Sequence, residues 1–172
     1  AQLAQFSSLE QMSNMNDALE ESIAMQSLTN QSITNSLATG LIGKSVKAQY
    51  NQVSLTYGEN IDFNYITESA AKQLTLRIYN ENGQLVRTEE MYNIGKGEHV
   101  YNWNGKDDLG NGLPSGSYTF ELEGVDASDN AVTALGYLQG EVNGIRYEGS
   151  GAVIRVGNQT ISFGDVYEIG NP

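Results

Sequence analysis

The sequence has no cysteine, two prolines and a single histidine among its 172 residues. Without cysteine the chain has no disulfide bond, no thiolate metal site and no cysteine nucleophile. The one histidine, His99, excludes a histidine-rich metal site and disfavours a catalytic triad built on histidine. We therefore expect no catalytic residue, no metal site and no cofactor, and we do not expect an enzyme.

Positive charge is scarce as well. Nine lysines and arginines stand against 21 aspartates and glutamates, which gives a net charge of −12. A chain this acidic repels phosphate backbones and anionic lipid headgroups, so nucleic acids and membrane surfaces are poor partners for it. No apolar run approaches the roughly 18 residues of a membrane span, and we expect no membrane insertion.

The first 40 residues contain no proline, lysine or arginine, and Gly40 is their only glycine. Apolar residues recur there at steps of three and four, which predicts an amphipathic helix. These residues are Leu3, Phe6, Leu9, Met12, Met15, Leu19 and Ile23. A long helix with a narrow apolar stripe must bury that stripe somewhere, so we expect these residues to bind a partner. After Ile23 the pattern loosens into Ser and Asn, and a surface helix fading into a linker is the alternative.

Gly40 begins a region of a different kind, and 18 of the 19 glycines follow it. Short alternating runs separated by Gly, Asn and Asp predict strands joined by turns. Asn82-Gly83 lies between two such runs and predicts a tight hairpin. Because no helical pattern separates the strands, we expect antiparallel sheets arranged as a sandwich or a barrel. Residues 136–169 have shorter spacings, which fit a small, strongly bent barrel.

Residues 38–45 match a relaxed phosphate-loop pattern in which alanine replaces the first glycine. Lys44 would then bind phosphates and Ser45 would hold magnesium, which keeps a nucleotide-dependent enzyme as one alternative. However, a phosphate loop needs a strand before it and a helix after it, and this segment has the reverse order. We favour a helix C-cap at Gly40 and a turn at Gly43 that leads into the first strand.

Residues 107–112 bring Asp, Asn and Gly together and could suggest a calcium loop. The segment lacks the alternate-position ligands and the distal glutamate of a calcium-binding helix–loop–helix site. Asp, Asn and Gly are also ordinary turn residues. A turn is therefore our interpretation, with a structural metal as the alternative.

Four segments resemble the flagellar hook-capping proteins, also called basal-body rod modification proteins or hook assembly scaffolds. Residues 1–12 are similar to the segment that follows the export region of this family. Residues 41–46 resemble the entry into its β region, and residues 103–118 resemble its immunoglobulin-like signature. Residues 140–145, with Asp165-Val166 near the end, match its C-terminal segment. The four similarities occur in the family's order along the whole chain.

The resemblance implies a mainly β fold with an N-terminal α-helical arm at residues 1–40. Residues 41–58 and 135–170 would form a discontinuous, Tudor-like small β-barrel. Residues 59–134 would form an inserted fibronectin type III or immunoglobulin-like β-sandwich. The Tudor label describes shape alone and implies no methyl-ligand recognition.

The resemblance also implies a function without chemistry. The protein would be a secreted cap at the distal end of the growing flagellar hook, where it promotes ordered polymerisation of exported hook protein. Its partners would be hook protein, other cap copies in a ring of about five, and the type III export apparatus through an N-terminal segment that this sequence lacks. An extracellular adhesion or glycan-binding β-sandwich module is the alternative.

Overall fold

The computed structural model describes residues 2–148 and 151–171, and the side chains of the first eight residues fall outside that description. One helix, α1 (Gln2–Thr39), opens the chain. The strands that follow are β1 (Ser45–Gln49), β2 (Gln52–Leu55), β3 (Ile61–Thr67), β4 (Ala71–Asn80), β5 (Leu85–Ile94), β6 (Gly97–Trp103), β7 (Gly116–Val125), β8 (Ala131–Val132), β9 (Ala134–Glu148), β10 (Gly151–Val156), β11 (Gln159–Ser162) and β12 (Val166–Gly170). A short 3-10 turn, Phe163–Asp165, precedes β12. The predicted mainly β fold with an N-terminal helix is confirmed.

The chain divides into two compact units. The arm unit consists of Ala1–Gly43 and Val142–Phe163, and the main unit consists of Lys44–Glu141 and Gly164–Pro172. Strand β9 contributes its first eight residues to the main unit and the rest to the arm unit.

The arm unit contains a three-stranded antiparallel sheet with β10 in its centre. Ile154 pairs with Ile145 of β9 on one side and with Ile161 of β11 on the other. Helix α1 packs against β10. The buried apolar residues of this unit come from the end of the helix and from the sheet, and they are Ala38, Leu41, Val142, Ala152, Ile154, Val156 and Ile161.

Helix α1 ends as the glycines predict. The Gly40 N–H donates to the Leu37 carbonyl at 3.0 Å, and the Leu41 N–H donates to the Ala38 carbonyl at 2.9 Å, which tightens the last turn. Gly43 adopts a φ of 77° and donates its N–H to the Val142 carbonyl at 2.9 Å. The positive φ favours glycine at this position, because a side chain there would be strained.

The main unit contains two antiparallel sheets. One has the order β2-β7-β4-β5, with β8 paired to β7. In the other, β3 lies between β6 and β9, β9 pairs with β1, and β1 pairs with β12. Strand β1 is thereby hydrogen-bonded to two segments that lie far away in sequence.

The core of the main unit is built from alternate residues of these strands. Leu76 and Ile78 of β4 have no exposed surface. Phe63 stacks on Phe120 with ring centroids 4.1 Å apart. The Trp103 ring meets Tyr118 edge-on at 5.1 Å, and its indole N–H donates to the Lys106 carbonyl at 3.1 Å. Each of these side chains contributes about 1.5–3 kcal/mol by leaving water.

Three loops of the main unit share one hydrogen-bond scheme, and they begin at Asn80, Asp107 and Asp126. The side-chain oxygen of the first residue accepts the N–H groups of the second and fourth residues after it, at 2.7–3.0 Å. Its own N–H donates to the carbonyl of that same fourth residue at 2.9–3.0 Å. This is turn chemistry, in which an Asn or Asp side chain replaces a backbone acceptor.

The third residue after the first residue of each loop has a positive φ: 73° at Gly83, 84° at Gly110 and 62° at Asp129. The hairpin predicted from Asn82-Gly83 is confirmed. The structure also supports the interpretation of residues 107–112 as a turn, because the backbone already uses the Asp107 carboxylate. Asp129 is the one of the three without the conformational freedom of glycine.

The predicted division into a Tudor-like barrel and an inserted fibronectin-like sandwich stays a prediction. Strand β1 pairs with residues 137–141 and with residues 166–170, which is the kind of pairing that a barrel of residues 41–58 and 135–170 requires. Strand β2, from the same predicted segment, pairs with β7 in the other sheet.

Candidate functional site

Helix α1 carries all of the predicted partner-binding residues. Five have described side chains, which are 56–67% exposed: Leu9, Met12, Met15, Leu19 and Ile23. The side chains of Leu3 and Phe6 lie outside the described residues. A contiguous row of large apolar side chains facing water is typical of an interaction surface.

Among the described side chains of α1, those that the arm unit buries lie in the C-terminal part of the helix. Every residue from Leu9 to Asn30 is exposed, whereas Ala38 is fully buried. The Tyr147 hydroxyl donates to the Asn35 carbonyl at 3.2 Å and lies 2.8 Å from the Thr39 hydroxyl. These contacts fix the end of the helix and leave the apolar row uncovered by this unit.

Four further exposed apolar residues lie on α1, and sequence reasoning missed them. Ile33 and Leu37 continue the row, and Met25 and Leu28 lie on another side of the helix. The four-residue step from Ile33 to Leu37 was the available signal. The polar run Ser27–Gln31 hid it, because Leu28 is its only large apolar residue.

The phosphate-loop-like segment has the reversed context that its sequence predicts. Helix α1 precedes it and strand β1 follows it, so no helix N-terminus faces the glycines. The Lys44 ammonium group donates to the Asn171 side-chain oxygen at 2.7 Å. The local structure supplies a helix end and a turn in place of a phosphate cradle.

One group of charged side chains in the main unit lies around Lys47. Its ammonium group donates to Glu98, lies 3.6 Å from a Glu168 carboxylate oxygen and sits 5.8 Å from the centre of the Tyr137 ring. The Tyr137 hydroxyl donates to Glu98 at 3.1 Å. Strands β1, β6, β9 and β12 each supply one of these side chains, so the group links four strands.

The protonation states of Lys47 and Glu98 are those of an ion pair that serves the structure. The hydrogen bond to Glu98 raises the pKa of Lys47, and the hydrogen bonds from Lys47 and Tyr137 lower the pKa of Glu98. Lys47 therefore stays protonated and Glu98 stays ionised near neutral pH, which suits neither a general base nor a general acid. The group stabilises the junction of the strands.

His99 is half-buried on β6, as its strand context predicts. Its ring stacks on Tyr65 with centroids 5.1 Å apart, and its Nε2 lies 2.8 Å from the Gly95 carbonyl oxygen. The Thr67 hydroxyl donates to the same carbonyl at 2.7 Å. These contacts give His99 a structural role in the packing of the main unit.

The described residues contain neither a metal-binding cluster nor a helix that could span a membrane. No three His, Asp or Glu side chains of residues 2–148 and 151–171 converge on a point that could hold a metal ion. Over the same residues, no helix combines the length and hydropathy of a membrane span. The pKa of Asp107 is lowered by its hydrogen bonds with the Asn111 side chain and with backbone N–H groups, so this carboxylate already has partners.

The fold and the exposed row together define a β-rich module with a helical arm that exposes apolar side chains. Residues 50–128 match the family of the FlgD Ig-like domain. The basal-body rod modification protein FlgD of Salmonella typhimurium is 29% identical in an alignment of 128 positions that covers 70% of this chain and 53% of that protein. FlgD of Salmonella typhi gives the same values. The chain thus spans about half the length of the curated relatives it matches.

Solved structures agree with this match. FlgD from P. aeruginosa superposes with a TM-score of 0.57 at 21% identity, over 76% of this chain and 98% of that one. FlgD from Xanthomonas campestris gives a TM-score of 0.55 at 20% identity over 76% of this chain and 95% of that one. The structure of that protein is reported to give insights into hook capping. At this identity the superpositions establish the fold.

The resemblance to flagellar hook-capping proteins predicted from the sequence is therefore confirmed: residues 50–128 match the FlgD Ig-like domain, and the chain is similar to FlgD in sequence and in fold.

Proposed function

We propose that the protein is a hook cap that promotes ordered polymerisation of exported hook protein at the distal end of the growing flagellar hook. The observation that carries this proposal is the exposed apolar row on α1 of a chain whose residues 50–128 match the FlgD Ig-like domain. A structural protein of flagellar assembly needs a surface for its partners, and this row offers apolar side chains that are more than half exposed.

The proposed mechanism is physical. Several copies, about five in a small ring, cover the end of the hook and retain exported subunits long enough to fold and insert beneath the cap. The arm contacts neighbouring cap copies or hook protein through Leu3, Phe6, Leu9, Met12, Met15, Leu19 and Ile23. Removing such side chains from water contributes about 1.5–3 kcal/mol each before the entropy of association is subtracted, so a few of them suffice for a stable contact.

Secretion completes the proposal. Hook protein polymerises outside the cell in this scheme, so the cap must reach the same place, and we propose the flagellar export apparatus as a transient partner. The absence of cysteine is compatible with both sides of the membrane, because no thiol changes its redox state on the way.

The test is genetic and uses the full-length parent protein. A strain without the gene should lack hooks and release hook protein into the medium. The triple variant Leu9→Ser, Met12→Ser and Leu19→Ser should fail to restore hooks, although its β units stay folded by circular dichroism. Normal hooks in the deletion strain would contradict the proposal and would favour the extracellular binding module.

A further inference from the structure

The apolar row is part of a longer, regular seam on α1. From Leu9 onwards, seam positions alternate between steps of three and four as far as Leu37. Its apolar members are Leu9, Met12, Leu19, Ile23, Ile33 and Leu37, and its polar members are Asn16, Gln26 and Asn30. All of these side chains are exposed. Alternation of this kind over about four heptads is the pattern of a coiled coil.

The seam lies beside the face that α1 uses to contact its own unit. The less exposed residues of the helix are Gln31, Thr34, Asn35 and Ala38. At about 100° per residue, the centre of this face is roughly 100° around the helix from the seam. The anchoring of α1 therefore leaves the whole seam accessible over its length of about 40 Å.

The polar members indicate what covers the seam. Two copies of α1 that run parallel and in register place Asn16 against Asn16, Gln26 against Gln26 and Asn30 against Asn30. Each amide can then donate to and accept from its counterpart. A shift by one heptad places Asn16 against Ile23 and leaves an amide without a partner in an apolar layer, which is unfavourable.

Antiparallel pairing gives fewer of the seam amides a hydrogen-bonding partner. An antiparallel alignment that pairs Asn16 with Asn30 places Gln26 opposite Glu20, outside the seam. One that pairs Asn16 with Gln26 places Asn30 opposite Met12. The uneven spacing of ten and four residues between the polar positions thus selects the parallel, in-register arrangement.

Charge on the flanks of the seam does not oppose a second copy. Three of the four carboxylates of the helix, Glu10, Asp17 and Glu21, lie away from the flanking positions. Glu20 alone flanks the seam, and in a parallel pair it faces Met15 of the other copy. Coiled coils that select a different partner use complementary charges on both flanks, which this helix lacks.

We propose that the seam is a self-recognition surface on which α1 of a second copy packs in parallel and in register. This rests on the proposed function, since it names the occupant of the arm in the cap. Cyclic rings of any size accommodate it, because parallel helices around one axis obey cyclic symmetry. The contact then consists of apolar layers that supply affinity and amide layers that fix the register.

The first test compares two double variants of the 172-residue chain by sedimentation equilibrium. Leu19→Ser with Ile23→Ser removes two seam side chains. Met25→Ser with Leu28→Ser is the matched control, because those residues are equally exposed, at 61% each, but lie off the seam. The seam variant should weaken self-association about 100-fold or more, and the control by less than about threefold.

The second test reads direction and register through single cysteines in this cysteine-free chain. Asn16→Cys should form an intermolecular disulfide with itself under air oxidation, because parallel, in-register helices bring like positions within bonding distance. Leu28→Cys, off the seam, should not. A mixture of Asn16→Cys and Asn30→Cys should give the two homodimers and little mixed dimer.

Three outcomes would overturn the inference: a monomeric chain at every concentration, equal weakening by the two double variants, or a predominant mixed dimer of Asn16→Cys and Asn30→Cys. These outcomes are separate from failure of the proposed function. Self-association through the seam together with normal hooks in the deletion strain would refute capping alone. Missing hooks together with a monomeric chain would refute the self-recognition seam alone.

Discussion

The core of the main unit and the helix of the arm unit place their apolar side chains in opposite ways. In the main unit, Leu76, Ile78 and Trp103 are 0–1% exposed, and the charged residues around Lys47 pair with one another. In the arm unit, the helix leaves residues such as Leu19 and Ile23 more than half exposed. Sheets that pack around a core remove their own apolar side chains from water, whereas an isolated helix with an exposed apolar stripe can do so only by binding another molecule. The comparison teaches that the apolar side chains of the main-unit core contribute to folding stability, whereas those of the helix are available for the recognition proposed above.

The largest expected effect comes from making one substitution in both units. Leu76→Ala should lower the unfolding free energy of the main unit by about 2–5 kcal/mol, because it opens a cavity in a filled core. Leu19→Ala should change it by less than about 0.5 kcal/mol in dilute solution, where α1 has no partner. Urea unfolding followed by tryptophan fluorescence measures both, and Trp103 is the only reporter. Equal effects would erase the distinction between the units.

A glycine substitution sharpens the description of the main unit as tightly filled. A Cβ at Gly136 would lie 2.4 Å from the Tyr50 carbonyl oxygen and 2.5 Å from the Phe120 ring. Gly136→Ala should therefore cost about 1–3 kcal/mol of unfolding free energy. Gly95→Ala is the control, because its Cβ would meet nothing within 4 Å. A Gly136→Ala protein that melts at the wild-type temperature would show that this packing is loose.

The ion pair between Lys47 and Glu98 in the main unit should make the unfolding free energy depend on pH. Glu98 has a lowered pKa because Lys47 and Tyr137 donate to it, so its contribution is present above the ordinary glutamate pKa and is lost as the pH falls through the lowered value. The wild-type unfolding free energy should thus decline on acidification more than that of Lys47→Met. Lys72→Met, which removes an exposed pair with Asp129, should follow the wild type. Matching profiles for Lys47→Met and wild type would contradict the structural role.

The smallest effect concerns the shared loop scheme. Asp129 has a φ of 62°, which strains a residue with a side chain, whereas the equivalent positions are Gly83 and Gly110. Asp129→Gly should raise the unfolding free energy by about 0.5–1 kcal/mol, which a small rise of the thermal midpoint would report. Asp126→Ala should lower the unfolding free energy by about 1 kcal/mol, since two N–H groups lose their acceptor. A destabilising Asp129→Gly would show that the strain is relieved by other contacts.

Local features of the fold could be predicted from the sequence. Asn82-Gly83 determines its hairpin by its own backbone preferences, and the three- and four-residue steps before Ile23 determine a helix face. The mainly β fold with a helical arm followed from these signals. The family resemblance added the expected barrel and sandwich, whose boundaries stay predictions.

Features that depend on distant residues could not be predicted. Lys47, Glu98, Tyr137 and Glu168 come from four strands, and no periodicity along the chain relates them. The pairing of β1 with β12 joins the two ends of the β region, which strand patterns alone do not specify. The C-terminal part of the seam could not be predicted for a different reason. Gln26 and Asn30 interrupt the apolar pattern at the positions where, in the proposed pair of helices, each amide faces the same residue of the other copy.

The exposed methionines of α1 give the arm a chemical sensitivity that the main unit lacks. Met12, Met15 and Met25 are 57–61% exposed, whereas Met91 is half-buried against the core. Peroxide converts an accessible thioether into a polar sulfoxide and leaves a shielded one largely untouched. Mild oxidation would therefore place a polar oxygen in the Met12 layer while the β core keeps its packing. Methionine sulfoxide reductase could then return the arm to its original state.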